Sequence, residues 1–312
     1  MDNTGIERPR NVQVFALAGP TASGKTEIAL EAARQLPIEI INLDAMQVYR
    51  EMDIGTAKPS ISERNQAPHH LFDIADPREK IGAGNYVALA TNAVKDILAR
   101  KKIPLFVGGT GFYLRVMRQG LSPIPEISPE VRSTLRQELS EKGLPKMRAQ
   151  LLEYDPDWAA QIHPNDTQRT LRGLEVFRGT GKRLSEFHKE PRSGALPFFI
   201  QVFVLEPSKE ELALRIAARV PRMIEAGLIA EVQSLLESGL EPDCHAMGAP
   251  GYREVCQFIK GELPRTELED AITRSHRAYA KRQRTFLGTE EGTLSIPNAE
   301  ALIEEIKKAA SG

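Results

Sequence analysis

Eight consecutive residues, Gly19, Pro20, Thr21, Ala22, Ser23, Gly24, Lys25 and Thr26, satisfy G-x-x-x-x-G-K-[ST] at every position. That spacing suits one task, the gripping of a polyphosphate. The glycines let backbone N–H groups converge on phosphate oxygens. A helix starting near Lys25 would aim the positive end of its dipole at the same anion. Lys25 adds a mobile charge, and the Thr26 hydroxyl is a ligand for Mg²⁺. Such a loop identifies the phosphates and not the organic tail. ATP is the usual ligand of this nucleotide-binding motif, but a diphosphate ester satisfies the same donors.

A second candidate is Asp44, at the end of the apolar run Ile38 to Leu43. In open α/β sheets ligands bind at the carboxyl ends of strands. A carboxylate there can hold Mg²⁺ through water or accept a proton from an acceptor substrate. The competing reading on position alone is an N-cap or turn aspartate. The following residues, AMQVYREMDIGTAKP, carry Gln47, Tyr49 and Lys58 among few apolar anchors, which reads as a segment bordering a site.

The elements that must position these residues are legible in the hydrophobic pattern. Val12 to Ala18 reads as a buried strand ended by Gly19-Pro20. Ile28, Leu30, Ala33 and Leu36 suit a short amphipathic helix stopped by Pro37. Ile38 to Leu43 and Ile103 to Val107 read as further strands, with a helix over Tyr86 to Arg100 between them. Alternating strands and helices imply a parallel sheet: an α/β fold of the P-loop NTPase-like type, flanked by helices. From about Gly120 the texture becomes proline-rich, then charged and helical, with no apolar strand until Phe198 to Leu205. The expected organisation is a discontinuous catalytic core (1–120 and 201–312) with a mainly helical insertion at 121–200. More helices packed on the same core is the competing layout. Leu212 to Leu236 and Leu268 to Leu287 read as long closing helices.

Composition narrows the setting. The 312 residues are 41% hydrophobic and 27% charged, enough to bury a sizeable core. The formal net charge of −1 means that any polyanionic partner must meet a local basic patch. Arg274, Arg277, Lys281, Arg282 and Arg284 form the densest basic segment, with Tyr279 and Phe286 interleaved. Alone, such a run reads as a solvated helix face. Cys244 and Cys256, the two cysteines, match no zinc or disulfide framework and read as reduced thiols. A polar N-terminus without a signal-peptide core, and no apolar run of membrane-spanning length, lead to the expectation of a cytoplasmic protein with no membrane partner.

Beyond the phosphate loop, several blocks resemble the tRNA dimethylallyltransferase family: DAMQVYREMDIGTAKP (44–59), Pro68-His69-His70 with Asp73, VGGTGFY (107–113), HPNDTQRTLRGLEVF (163–177), RMIEAGLIAEV (222–232), GYRE (251–254) and YAKRQRTF (279–286). The likeness runs in order from about Val12 to Phe286. DIGTAKP and HPNDTQR are not shared by P-loop proteins generally.

The resemblance implies an enzyme that moves the dimethylallyl group of dimethylallyl diphosphate to N6 of adenosine 37, beside the anticodon of tRNA, with Mg²⁺. It implies that the loop residues hold the departing pyrophosphate, with Thr26 on the metal and Asp44 reaching it through water. Arg219, which alone would read as a solvated helix arginine, matches a family position that contacts the diphosphate. Asp44 matches the proposed general base. Contacts to tRNA are implied for Asp44, Ala45, Met46 and Gln47; for Thr110 and Arg132; and for Gln168, Arg169 and Arg172. They are implied also for Gly251, Tyr252 and Arg253, and for Lys281, Arg282, Gln283 and Arg284. The target adenine must leave its stack to be reached. The expected partners are the tRNA anticodon stem-loop and the diphosphate, and a monomer is expected.

Two residues depart from the family pattern: Ala45 stands where Ser is usual, and Pro250 precedes Gly251-Tyr252 where Ile is usual. The first removes a hydroxyl beside Asp44; the second stiffens a loop. Three other readings share parts of the pattern. A P-loop small-molecule kinase would need neither the helical insertion nor the KRQR segment. An NTP-gated RNA adaptor would not need Asp44 placed with Lys25 and Arg219. An adenylate-accepting isopentenyltransferase would not need an insertion that grips tRNA.

Overall fold

A computed structural model describes residues 13–311; the polar N-terminal stretch and Val12 lie outside the described residues. Three features of the chain decide the architecture: uninterrupted apolar strands, short glycine-led loops, and helices between them. β1 (Gln13–Ala18), β2 (Ile38–Asn42), β3 (His69–His70) and β4 (Ile103–Gly108) alternate with α1 (Lys25–Gln35), α2 (Ile61–Arg64) and α3 (Ala83–Ala99). α4 (Gly111–Gln119) follows. A run without strands comes next: α5 (Pro129–Tyr154), α6 (Pro156–Gln161), α7 (Thr167–Thr180) and α8 (Leu184–Phe187). β5 (Phe199–Val204), α9 (Lys209–Glu225), α10 (Leu228–Glu237), α11 (Tyr252–Ile259), α12 (Arg265–Leu287), β6 (Thr293–Ser295) and α13 (Ala299–Ser311) complete the chain.

The strands form one six-stranded parallel sheet in the order β3-β2-β4-β1-β5-β6. β2 is buried along its whole length and β4 along nearly all of it, as expected when helices cover both faces of a parallel sheet. On one face Phe15, Leu17, Leu105 and Phe203 pack with Leu30 of α1 and Leu302 and Ile306 of α13. A second apolar cluster joins α9 to α12 with Val48, Tyr49 and Met52.

Contacts divide the described chain into two units, residues 119–195 and the rest. In the helical unit Leu135, Met147, Leu151 and Leu174 make a small core. α5 is interrupted at Gly143, which takes φ 73°, ψ 162° just ahead of Pro145.

The long helix expected over Leu212 to Leu236 is two helices. Gly227 sits between α9 and α10 with φ 103°, a left-handed conformation that glycine alone adopts cheaply. Three elements carried too little sequence signal to be read. β3 has only two residues, and β6 and α13 follow the last resembling block.

Candidate active site

The parallel register brings the chemistry to one edge. Ala18 pairs with Gly108 and with Val204, and Asn42 pairs with Val107. The loops after β1, β2, β4 and β5 therefore all leave the sheet on the same side. β4 lies between β1 and β2, so the phosphate loop and Asp44 emerge about 10 Å apart, twice the ~4.8 Å strand spacing. That gap is framed from below by Gly108 and Gly109. A Cβ on Gly108 would enter the Leu43 backbone, and one on Gly109 would enter the Gln283 amide.

The loop after β1 is folded as its motif demands. Gly19 N–H donates to Gly108 O (3.3 Å) and Ser23 N–H to Pro20 O (3.3 Å). Gly24, at φ 93°, ends the loop as the N-cap of α1. Lys25 curls back, Nζ donating to Pro20 O (2.6 Å) and Ser23 Oγ (3.2 Å), so it lies over the space that a phosphate would fill. Its enclosure pushes its pKa down to about 7, with Asp44 working against the fall and Arg219 adding to it. Thr26, half-buried, follows on the first turn of α1.

Helix α9 closes the loop from above. Arg219 Nη1 donates to Thr21 Oγ1 (3.2 Å), and burial lowers its pKa. Arg215, one turn earlier, donates to Ser23 O (2.8 Å) and is steadied by Glu211 (2.6 Å). Arg215 was missed in the sequence reading, although its spacing of four from Arg219 put both on one helix face.

Asp44 is held by its neighbours. Its N–H donates to Asn42 Oδ1 (2.9 Å), and its Oδ1 accepts from Met46 N–H (2.9 Å). Burial raises its pKa; the Met46 amide and the Lys25 charge partly oppose that. Ala45 N–H donates to Thr110 Oγ1 (2.9 Å), and Gln47 Nε2 spans Thr56 O and Ala57 O (3.0 and 3.2 Å). Thr21, Asp44, His245, His276, Tyr279 and Arg282 line one cavity of about 210 Å³.

Several residues expected at an RNA contact have other duties. Gln283 is buried and stitches two loops together: its Oε1 accepts from Thr21 N–H (2.8 Å) and its Nε2 donates to Gly109 O (3.0 Å). Tyr252 is fully buried, its hydroxyl donating to Glu231 Oε1 (2.6 Å). Glu231 also accepts from the amides of Asp53 (3.1 Å), Ile54 (2.8 Å) and Gly55 (3.3 Å). The segment 44–59 borders the site through Asp44, Met46, Gly55 and Thr56 and also reaches the core: Tyr49 and Met52 are buried, and Lys58 bonds Tyr49 O, Asp53 and Asp73 (2.7, 2.5 and 2.6 Å). Gly251 serves as the N-cap of α11 at φ 93°, and exposed Arg253 pairs with Glu254 (2.7 Å).

On α12, Arg274, Arg277, Lys281 and Arg282 are exposed, while Arg284 is half-buried with a buried Nη1 that has no hydrogen-bond partner. Phe286 is covered by Arg115, 4.0 Å from its ring. In the helical unit Arg132 and Arg172 converge on Glu175 (2.5 and 3.0 Å). Arg169 pairs with Asp166 (3.1 Å), the N-cap of α7, and Gln168 is exposed beside it. Cys244 and Cys256 are free thiols. Among the described residues no helix is long and apolar enough to cross a membrane.

Phosphate donors on one strand and an acid two strands away are the equipment of a group-transfer enzyme of the P-loop class. A family model described as IPP transferase matches residues 47–290, and one described as isopentenyl transferase matches 12–73. The chain belongs to the IPP transferase family. It is 43% identical over 278 residues to a tRNA dimethylallyltransferase of Trichlorobacter lovleyi, covering 89% of this chain and 91% of that one. It is 40% identical over 282 residues to a tRNA dimethylallyltransferase of Geobacter sulfurreducens, covering 90% and 91%. Among solved structures, the tRNA isopentenylpyrophosphate transferase of Bacillus halodurans superposes with a TM-score of 0.69 at 33% identity, over 97% and 96% of the two chains. A eukaryotic dimethylallyltransferase acting on tRNA gives 0.73 at 28% identity, over 96% and 77%.

Proposed function

We propose that this enzyme transfers the dimethylallyl group of dimethylallyl diphosphate to N6 of adenosine 37 in tRNA, releasing pyrophosphate. The observation that carries the reading is the shared edge: the loop bearing Lys25 and the residue Asp44 leave the same end of the parallel sheet, with β4 between their strands. A diphosphate gripped by the loop would extend its allylic carbon into the gap between β1 and β2, and an amine entering the cavity at Asp44 would meet it.

The steps balance as one substitution. The N6 lone pair forms a bond to C1 of the dimethylallyl group as the C1–O bond breaks, and the electron pair leaves with pyrophosphate. Loop amides, Lys25 and Arg219 take up the charge accumulating on that group. Asp44 accepts the N6 proton; burial raises its pKa and so strengthens it as a base. Holding amine and carbon in line contributes alongside the proton transfer.

Thr26 and Asp44 offer hard oxygen donors of the kind that Mg²⁺ takes when substrate phosphates and water fill its remaining positions. When bound there, the ion would neutralise charge on the leaving pyrophosphate. The exposed cations of α12 are suited to RNA phosphates, and the 119–195 unit, with Arg132, Gln168, Arg169 and Arg172, is assigned to gripping the same tRNA. A monomer working in the cytoplasm belongs to this reading.

One assay tests the proposal. Radiolabelled dimethylallyl diphosphate and an unmodified anticodon stem-loop are incubated with the enzyme, and the labelled nucleoside is identified after digestion. Label in N6-dimethylallyladenosine is expected; label remaining in the diphosphate would refute it.

A further inference from the structure

His276 is an odd residue for its place. It sits in the middle of α12, is only 4% exposed, and lines the same cavity as Asp44 and Tyr279. Its Nδ1 lies 3.0 Å from the carbonyl oxygen of Ile272, one turn back. A carbonyl only accepts, so Nδ1 carries the proton and Nε2, across the ring, is a bare lone pair. The Cε1 edge beside Nε2 faces Gly251, whose neighbours Gly248, Ala249 and Pro250 form the cavity's other wall. Burial and the nearby Arg219 charge both lower the pKa of the ring and keep it neutral.

Asp44 and His276 thus line one cavity of about 210 Å³, together with Thr21, Tyr279 and Arg282. That is below the several hundred Å³ of a drug-sized pocket and on the scale of one flat heterocycle. We propose that His276 is a specificity-determining residue, its Nε2 accepting the second N6 hydrogen of the target adenine. This rests on the proposed function and adds to it a reason for choosing an amine.

An aromatic amine lies in the plane of its ring and carries two in-plane hydrogens. Its lone pair points out of that plane. Acceptors on both hydrogens hold the amine so that the lone pair faces out of the base plane, where the allylic carbon must come. A keto base such as guanine would present an oxygen where the proposed pair of acceptors needs hydrogens, leaving lone pairs facing one another without a proton between them.

The test pairs deletion on the protein with deletion on the substrate. Stem-loops carrying adenosine or purine riboside at the target position are bound to wild type, His276→Leu and His276→Gln, and melting midpoints check the fold. Wild type should prefer the adenosine loop. His276→Leu should shrink that preference about fivefold, the worth of one neutral hydrogen bond, with affinity for the purine loop unchanged. Gln, whose amide oxygen reaches the Nε2 position, should restore most of it. The same preference in His276→Leu, or equal weakening of both loops, overturns the inference. Wild type failing to modify the adenosine loop overturns the proposed function itself, a result visible before any variant is made.

Discussion

The surroundings of Lys58 and the phosphate loop both enclose charged side chains, and they settle them in opposite ways. Around Lys58 every charge has a partner. Lys58 bonds Asp53 and Asp73, and Arg64 takes the other oxygen of Asp73 (2.6 Å). Lys58 and Arg64 hold the Asp73 carboxyl below its ordinary range against the pull of burial. Nearby, Glu231 is satisfied by three amides and a tyrosine hydroxyl. At the phosphate loop the balance is reversed. Lys25, Asp44 and Arg219 are all moved toward their neutral forms by enclosure, and Lys25 has only a carbonyl and a hydroxyl for partners. The difference teaches where function lies: charges that the fold fully pairs hold the chain together, and charges left short of partners wait for a ligand.

The largest effect expected from that contrast is at Lys25. Lys25→Met should weaken dimethylallyl diphosphate binding and lower turnover by about 10³-fold, the scale of losing one charged contact to a developing anion. Its melting midpoint at neutral pH should stay level or rise. The sign follows from linkage. Folded Lys25 titrates near pH 7 and an unfolded lysine at about 10.4, so the unfolded chain binds more protons between those values. Wild-type stability therefore climbs with pH across that window, and the variant lacks the climb. A variant that melts several degrees lower at pH 7 would put Lys25 in the structural class.

Asp44→Ala should cost about 10²-fold in single-turnover rate while tRNA affinity is nearly kept. An unchanged rate would take the base role from it. On the other side of the comparison, Lys58→Met should lower stability by roughly 2–3 kcal/mol in urea unfolding. That is less than the ~3–5 kcal/mol of a fully buried pair, because Asp53 and Asp73 still reach water. Turnover of the folded fraction should be unaffected; a selective loss of turnover would blur the two regions into one.

Much of this contrast was legible in the residues, but not all. The phosphate loop and the succession of strands and helices around it were legible because strong local rules govern them: a glycine-lysine-threonine spacing, and short apolar runs bounded by glycine, proline and aspartate. The burial of Tyr252 and Lys58 was not legible, because polar and aromatic side chains in a loop-rich stretch carry no mark of burial until Glu231, some 170 positions from Lys58, arrives to receive the neighbouring amides. The burial of Gln283 was hidden for a related reason. It lies in a basic run whose neighbours Lys281 and Arg282 are exposed, yet one helical step turns it inward. His276 had no sequence signal, since a lone histidine gains meaning only from the cavity it lines. The split of α9 from α10 was signalled by Gly227, but one glycine in an otherwise helical pattern did not outweigh the pattern.

Gln283 gives the smallest and most discriminating prediction. It sits between the two classes, an uncharged amide that ties Thr21 of the phosphate loop to Gly109 at the end of β4. Gln283→Ala should free the Thr21 amide and loosen the frame between the two substrates, lowering turnover about tenfold, a misplacement effect. Because the side chain is buried, the salt dependence of tRNA binding should keep its slope. Arg277→Ala with Lys281→Ala should do the reverse, flattening the slope by about one to two units with turnover at saturating tRNA little changed. If Gln283→Ala flattened the slope, the residue would return to the RNA interface, and the buried stitch between Thr21 and Gly109 would not be what sets the gap between leaving group and base.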